Sequence, residues 1–281
     1  MNAIEISGLC KSYKDFKLED ISITLPSGCI MGLVGENGAG KSTTIRLIMN
    51  AIKSDAGKVT VLGTDNKSRE FLDIKEEVGI VLDEAYFPEV LNVKNVNSIM
   101  KNTYKNWDEK CFFDYADKFT LPLKKQFKDF SRGMKMKLAI AVALSHHSKL
   151  LILDEATSGL DPMVRDEMLD ILNEFTRDET HSVLLSSHIV SDLEKICDYI
   201  AFIHRGRLLF CEEKDMLLEK YGIVRVSKSD FEAIPEKAII GKKVTDYGVE
   251  ALVLKSNVSG AIVPERPSIE DIILFIAKGD K

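Results

Sequence analysis

The feature that most constrains this chain is a glycine-rich stretch at residues 35–43, which reads Gly-Glu-Asn-Gly-Ala-Gly-Lys-Ser-Thr. It follows the apolar run 29–34 and precedes Ile45 and Ile48, which are spaced as on one face of a helix. A glycine, four residues and then Gly-Lys-Ser between a strand and a helix is the pattern of a loop that binds phosphate groups through its backbone N–H groups. The chain is therefore expected to fold as an α/β protein around this unit.

The residues of this phosphate loop have different predicted chemical roles. The three glycines are expected to let the backbone take positive φ and approach an anion closely. Lys41 is placed to reach the β- and γ-phosphates of a nucleotide, and the Ser42 hydroxyl to bind Mg²⁺. A glycine-rich turn that merely contains a lysine is disfavoured, because the glycines, the Gly-Lys-Ser triplet and the strand-to-helix context are all in register. The predicted nucleotide-binding set is Gly35, Glu36, Asn37, Gly38, Ala39, Gly40, Lys41, Ser42 and Thr43.

Composition limits the class of protein. The 281 residues are 45% hydrophobic and 29% charged, as in ordinary soluble globular proteins. No apolar run is long enough to span a bilayer, and residues 1–5 do not begin a signal peptide, so a cytosolic location is expected. The net charge of -6 disfavours a general nucleic-acid binder, although a basic run lies at residues 124–137. Five dispersed cysteines lack metal-ligand spacing and are expected to be reduced.

Polar residues follow two further apolar segments. The run 150–153 ends in Asp154 and Glu155, and the run 183–185 is followed by Ser-Ser-His188. In an open α/β sheet, ligands bind at the carboxyl ends of the strands, so these residues are expected to share one cleft with the phosphate loop. Asp154 could hold Mg²⁺ or its waters, and Glu155 could reach an attacking water as general base. His188 could donate to the γ-phosphate, although a lone histidine after a strand is more often structural.

The segment 150–162, Leu-Leu-Ile-Leu-Asp-Glu-Ala-Thr-Ser-Gly-Leu-Asp-Pro, resembles the second nucleotide motif and aspartate loop of ATP-binding-cassette (ABC) ATPases. Phe-Ser-Arg-Gly-Met at 130–134 is similar to their signature motif, and His188 matches their switch histidine. The resemblance covers about residues 3–215. It implies that two cassettes pair head to tail and enclose two ATP molecules, each between one subunit's phosphate loop and the other's signature.

The resemblance also assigns further residues. Ser131 and Gly133 would contact the γ-phosphate across the dimer, and Asp161 would cross the dimer interface. Tyr13 matches the aromatic residue that stacks on adenine. Two departures stand out. In the signature, Arg132 and Met134 replace a glycine and a glutamine, and Asp83 falls where the family has a metal-binding glutamine. Asp83 is expected still to bind the metal, together with Ser42 and Asp154, while altering coupling to the membrane subunit.

The expected fold is a phosphate-loop ATPase core with a mostly parallel central sheet, an N-terminal antiparallel β subdomain and a small C-terminal α+β extension. An inserted helical subdomain at about 87–130 would contact a transmembrane partner, as the resemblance implies. The predicted domains are residues 1–220, the nucleotide-binding domain, and residues 221–281, an extension of unknown role.

Together with the departures in the signature and at Asp83, the segments 104–108 and 267–271 resemble the bacterial branch that includes bacitracin-resistance-type and phenol-soluble-modulin-type peptide exporters. The expected function is thus the ATP- and Mg²⁺-dependent subunit of an exporter of peptide toxins or antimicrobial peptides. It would lie at the cytoplasmic face of the membrane on a separate permease subunit, with a second ATPase subunit and no nucleic acid. A homodimer is favoured, and a heterodimer with a different cassette is the alternative.

Two other functions are disfavoured by the sequence. A cassette acting on nucleic acid or the ribosome would be expected to carry a long coiled coil or a second cassette, and the sequence shows one phosphate loop and no sustained heptads. A nucleotide-sensing module without turnover would be expected to lose its general base, whereas Glu155 and His188 are both present.

Overall fold

The structure is a computed structural model that describes residues 1–83, 87–258 and 262–279. Its strands are β1 (Asn2–Ser12), β2 (Lys17–Pro26), β3 (Ile30–Val34), β4 (Ala56–Val61), β5 (Thr64–Asp65), β6 (Val78–Val81), β7 (Leu150–Asp154), β8 (Ser182–Ser187), β9 (Tyr199–His204), β10 (Arg207–Glu213), β11 (Tyr221–Val226), β12 (Ile239–Val244) and β13 (Val249–Leu254). Its helices are α1 (Lys41–Ile48), α2 (Phe71–Ile74), α3 (Val93–Thr103), α4 (Glu109–Lys118), α5 (Arg132–Leu144), α6 (Pro162–Phe175), α7 (Val190–Ile196), α8 (Lys214–Lys220), α9 (Lys228–Phe231) and α10 (Ile269–Gly279).

Ten strands form one sheet in the order β5-β4-β1-β2-β10-β9-β3-β8-β7-β6. The five strands from β9 to β6 in that order are all mutually parallel. Every residue of β3, β7 and β8 is buried, because helices cover both faces of the sheet there. The continuous apolar runs in the sequence correspond to these central strands. The predicted mostly parallel sheet is confirmed.

The other half of the sheet is antiparallel and is attached through a hairpin. Strand β1 pairs antiparallel with both β2 and β4, which forms the predicted N-terminal β subdomain. Strands β9 and β10 form a hairpin, and its two turn residues, Arg205 and Gly206, have φ of 47° and 81°. Positive φ at both positions is what the type I′ turn of a two-residue hairpin requires. Strand β10 then pairs with β2 through Arg207 and Glu19 and so joins the two halves.

The helical insertion is also present as predicted. Helix α3 begins at a capping box made by Asn92 and Asn95, and α4 begins at Asp108, whose side chain accepts a hydrogen bond from the Cys111 amide. Phe112 is fully buried where these helices pack together with α5. Among the residues that the structure describes, no helix is both long enough and apolar enough to cross a membrane.

Residues 221–279, apart from the undescribed 259–261, form the three-stranded sheet β11-β13-β12 and helix α10. A small core of its own contains Val224 and Val253. Helix α10, however, places Ile272 and Phe275 in the same buried cluster as Leu193 of α7. The predicted domain boundary at residue 220 coincides with the junction of α8 and β11, but the main hydrophobic core continues across it. The division into two domains stays a prediction.

Candidate functional site

The phosphate loop joins β3 to α1 and lies at the carboxyl edge of the parallel strands. Gly38 and Gly40 have φ of 81° and 118°, the left-handed conformation that the sequence predicts. Gly35 is needed for another reason, because its φ is not in that region. A Cβ atom at Gly35 would lie 2.4 Å from the Ile203 carbonyl oxygen, so the close approach of β9 requires glycine there. The prediction of positive φ is therefore confirmed for two of the three glycines.

The loop lines a cavity of about 580 Å³ at the end of the sheet. The cavity brings together nine of the residues predicted from the sequence: Glu36, Asn37, Gly38, Gly40, Lys41, Ser42, Thr43, Asp83 and Glu155. These residues come from the loop after β3, the segment after β6 and the segment after β7. The prediction that strand ends from distant parts of the chain form one cleft thus agrees with the geometry.

Lys41 is the buried cation of this cavity. Its side chain is 5% exposed, and its ammonium donates to the carbonyl oxygens of Gly35 at 2.6 Å and Glu36 at 3.3 Å. The same ammonium forms an ion pair of 3.0 Å with Glu155 Oε1. The contacts hold the charge at the centre of the loop, where a phosphate group entering the cavity would meet it.

Glu155 is held in an unusual backbone conformation directly after β7. Its φ is 52°, which a non-glycine residue adopts only where surrounding contacts fix it. Those contacts come from Ser186, whose carbonyl oxygen and hydroxyl both accept from the Glu155 amide at 3.1 Å and 3.0 Å. The turn separates the side chain of Glu155 from that of Asp154 and places it against both Lys41 and His188.

His188 contacts the carboxylate of Glu155 directly. Its Nδ1 donates to Glu155 Oε2 at 2.6 Å, and its ring is 45% exposed. A carboxylate accepting from an imidazole, with a lysine on its other oxygen, is an arrangement suited to moving a proton at a phosphate group. The two predicted catalytic residues are therefore neighbours across the ends of β7 and β8.

Asp154 is 7% exposed and accepts a hydrogen bond of 2.6 Å from the Ser186 hydroxyl. The other two predicted metal ligands, Ser42 and Asp83, line the cavity itself. One hydroxyl and two carboxylates are the oxygen donors that Mg²⁺ prefers when substrate phosphates supply further ligands. Within the described ranges, no group of three or more His, Cys, Asp or Glu side chains could hold a metal without such help.

The signature motif lies against the aspartate loop, which we define as residues 156–161, and against the start of α6. Ser131 and Asp161 cap α5 and α6, since their side chains accept from the amides of Met134 and Val164. Gly133 faces Val164, and a Cβ there would lie 3.4 Å from it. The guanidinium of Arg132 covers Gly159 so closely that a Cβ at Gly159 would lie 2.8 Å from it. None of Ser131, Gly133 and Asp161 lines the described cavity of its own chain.

Three contributions to the site were missed by the sequence analysis. Asp15 and Phe16 line the cavity, whereas the predicted adenine-stacking residue Tyr13 is 49% exposed and is absent from its lining. Tyr13 lies next to the cavity through a hydrogen bond from its amide to the Phe16 carbonyl oxygen, 2.7 Å long. Ser186 could have been found, because it is a hydroxyl directly after the apolar run Val183–Leu185.

Comparison with known proteins identifies the family of this chain. The family model described as "ABC transporter" matches residues 18–158. The chain belongs to the ABC transporter family. It is an ATPase subunit of this family, with a cassette that binds ATP, and the predicted fold and enzyme class are confirmed.

Relatives of this ABC ATPase are transport proteins. It is 32% identical to the "Lantibiotic transport ATP-binding protein SrtF" of Streptococcus pyogenes, over 75% of this chain and 91% of the relative. It is 33% identical to the "Bacitracin transport ATP-binding protein BcrA" of Bacillus licheniformis, over 73% of this chain and 68% of the relative. A "Putative ABC transporter ATP-binding protein" of Mycoplasma pneumoniae is 30% identical over 99% of this chain and 89% of its own length, so that match includes the extension.

Solved structures share the cassette fold. The "Structure of ATP binding subunit of ABC transporter" superimposes with a TM-score of 0.69 at 27% identity, and covers 76% of this chain and 90% of that one. The dimeric post-hydrolysis ATP-binding cassette MJ0796, bound to ADP and Pi, has a TM-score of 0.67 at 18% identity, with coverage of 75% and 98%. At that identity the second likeness shows the fold alone.

Proposed function

We propose that this ABC ATPase drives export of peptide toxins or antimicrobial peptides through a separate transmembrane subunit. The observation that supports turnover is the contact of Glu155, which lines the cavity, with both Lys41 and His188. The printed names of the relatives, lantibiotic transport and bacitracin transport, support the substrate class. The protein would then lie peripherally at the cytoplasmic face of the membrane, attached through the permease.

ATP would bind with its phosphates in the loop. The amides of residues 35–43 and the ammonium of Lys41 would hold the β- and γ-phosphates, and the N-terminus of α1 would add its partial positive charge. Phe16 or Tyr13 would stack on the adenine. Ser42, Asp83 and Asp154 would hold Mg²⁺, which neutralises charge on the phosphate oxygens when bound.

Hydrolysis would use Glu155 as the general base. A water oxygen attacks the γ-phosphorus, its proton passes to the Glu155 carboxylate, and the bond from the γ-phosphorus to the β–γ bridging oxygen breaks to leave ADP and phosphate. In the structure Lys41 pairs with Glu155 Oε1 at 3.0 Å. When ATP binds, the Lys41 ammonium would form its ion pair with the γ-phosphate instead of with Glu155. This exchange would free Glu155 Oε1 to accept the proton of the water, so binding of ATP would itself activate the base. His188 would orient the carboxylate and donate to the γ-phosphate.

The second half of each site would come from another cassette. Ser131 and Asp161 lie at the starts of α5 and α6, outside the phosphate-loop cavity of their own chain. A head-to-tail pair would bring Ser131, Gly133 and Asp161 of one subunit to the phosphate loop of the other. Because one chain carries both halves, we propose a homodimer with two equivalent sites; pairing with a different cassette is the alternative outcome of the test below.

The test is the solution mass and ATPase rate of Glu155→Gln with and without MgATP. Loss of the base should lower turnover by about 10²–10⁴-fold while ATP still binds, so dimers should accumulate only with ATP. Glu174→Gln is the matched control, since Glu174 is an exposed partner of Lys118. Wild-type turnover in Glu155→Gln would refute its role as base. A variant that binds ATP yet stays monomeric would refute the homodimer.

A further inference from the structure

Two helices leave the catalytic edge of the sheet, and each starts next to a site residue. Helix α6 begins at Pro162, after the aspartate loop, and α7 begins at Val190, two residues after His188. A partly buried ion pair joins them, because the side chain of Arg165 is 26% exposed. Asp192 of α7 is 6% exposed, and its Oδ2 lies 3.8 Å from Nε of Arg165 on α6.

Arg165 contacts the aspartate loop as well as α7. Its Nη2 donates to the carbonyl oxygen of Leu160 at 3.2 Å, so a single planar guanidinium bridges the loop and Asp192. The carboxyl group of Asp192 also faces the Thr157 hydroxyl, near the start of the same loop. Burial raises the pKa of Asp192, and Thr157, Arg165, Lys195 and His188 all oppose that shift, which agrees with their position around the carboxyl group.

The position of the His188 ring relative to Glu155 depends on where α7 lies. It is nearly half exposed, and its Nδ1 contact is with the Glu155 carboxylate. Helix α7 has seven residues and no side-chain hydrogen bond from its N-cap, Ile189, so the contact of Asp192 with α6 adds to the few local bonds that hold its first turn. Removal of one partner of such an ion pair leaves the other charge without compensation, which destabilises the arrangement of the elements that carry the pair.

We propose that Arg165 and Asp192 are positioning residues that set His188 against Glu155 and make its placement depend on the aspartate loop. The proposal rests on the proposed role of His188 in hydrolysis. The 3.8 Å separation exceeds hydrogen-bonding distance, and neither Arg165 Nε nor Asp192 Oδ2 has a hydrogen-bond partner within the described ranges. The pair can therefore shorten when the aspartate loop moves, and α7 would follow.

The test is a double-mutant cycle on the ATPase rate of the full chain. Asp192→Asn keeps the shape of the side chain and removes its charge, and it should lower kcat by about 10–100-fold, since misplacement of a reacting group by about 1 Å can cost 10²-fold. The dissociation constant for ATP should change less than about twofold. In a His188→Ala background, Asp192→Asn should add less than about a twofold loss, because both changes act through one group.

The matched control is Asp166→Asn. Asp166 pairs with Lys195 between the same two helices, but both side chains are more than half exposed, so kcat should be unchanged. Arg165→Lys is the second variant, because it keeps the charge yet cannot contact Leu160 and Asp192 together; it should reproduce the kcat loss in a folded protein.

Three results would overturn the proposal: losses from Asp192→Asn and His188→Ala that multiply in the double variant, an equal loss in Asp166→Asn, or wild-type kcat in Arg165→Lys. Full activity of His188→Ala would instead remove the proposed role of His188, and the positioning proposal with it. The single variants therefore separate a failure of the catalytic assignment from a failure of the positioning pair.

Discussion

Replacement of Ile272 by alanine tests whether α10 is part of the cassette core. Ile272 is 0% exposed and belongs to the same buried cluster as Leu193 of α7 and Leu217 of α8. The change removes three carbon atoms, and about 0.8 kcal/mol per buried CH₂ gives about 2.4 kcal/mol for the transfer alone. A remaining cavity of about 50 Å³ at about 24 cal/mol per Å³ adds about 1.2 kcal/mol. We therefore expect a loss of about 3–4 kcal/mol of unfolding free energy.

The assay is urea denaturation followed by fluorescence of the single tryptophan, Trp107. Trp107 lies in the helical insertion, where its ring packs 5.2 Å from that of Phe112, so it reports on the cassette rather than on α10. With a slope of about 3 kcal/mol per molar urea, the midpoint should fall by about 1 M. Leu274→Ala is the control, because Leu274 is on the same helix and 47% exposed, and its midpoint should move by less than about a third as much.

An unchanged Trp107 midpoint in Ile272→Ala, with a separate transition shifted elsewhere, would refute the shared core. The extension would then unfold as an independent domain. A single transition that moves by the expected amount would instead show that residues on both sides of the predicted boundary unfold together.

Two further predictions concern the phosphate loop and a buried histidine. Gly35→Ala should weaken ATP binding at least about tenfold, or about 1.4 kcal/mol, because its Cβ would meet the Ile203 carbonyl at 2.4 Å. Gly63→Ala is the control: alanine strains the backbone there, where φ is 81°, but the position has open space and lies outside the phosphate loop, so affinity should be unchanged in the same calorimetric titration. Burial lowers the pKa of His146 from 6.5, so the unfolded chain binds a proton that the folded chain resists, and stability should fall as the pH decreases below 6.5. His146→Phe can retain the stacking on Tyr104 but has no group that titrates, so the free energy of unfolding should depend less on pH in this variant. Denaturation at several pH values between about 7.5 and 5.5 measures this. An equal pH dependence in the variant and the wild type would contradict the role given to His146.

The local features of the fold could be predicted from the sequence. The strand, loop and helix around Lys41 follow from glycine placement and apolar spacing, and the helix starts at Asp108 and Asp161 follow from capping. These signals reside in a few adjacent residues. Glu155 and His188 were expected in one cleft because each follows an apolar run, and the family resemblance supported His188 as a switch histidine; the structure places the two side chains in contact.

The features that were missed depend on contacts between residues far apart in the chain. The need for glycine at residue 35 comes from the carbonyl of Ile203, which no local pattern reveals. In the sequence, Asp192 looks like any charged residue on a short helix. Its burial and its ion pair with Arg165 are visible only in the structure. Likewise, the apolar face of α10 predicts a buried helix but not the partner that buries it.

The packing of α10 against α7 also has a consequence for the order in which the nascent chain can fold. Leu193 and Ile196 of α7 emerge from the ribosome well before Ile272 and Phe275, which cover the same cluster. At about 5–20 residues per second, the intervening stretch of about 80 residues takes about 4–16 s to synthesise. During that time the part of this cluster that α10 covers remains open to water, to chaperones and to other nascent chains, whereas the side of Leu193 that faces Gly32 of β3 can already be covered. The helix that follows His188 therefore reaches its final packing only after residue 275 has been made, however early the phosphate loop itself has formed.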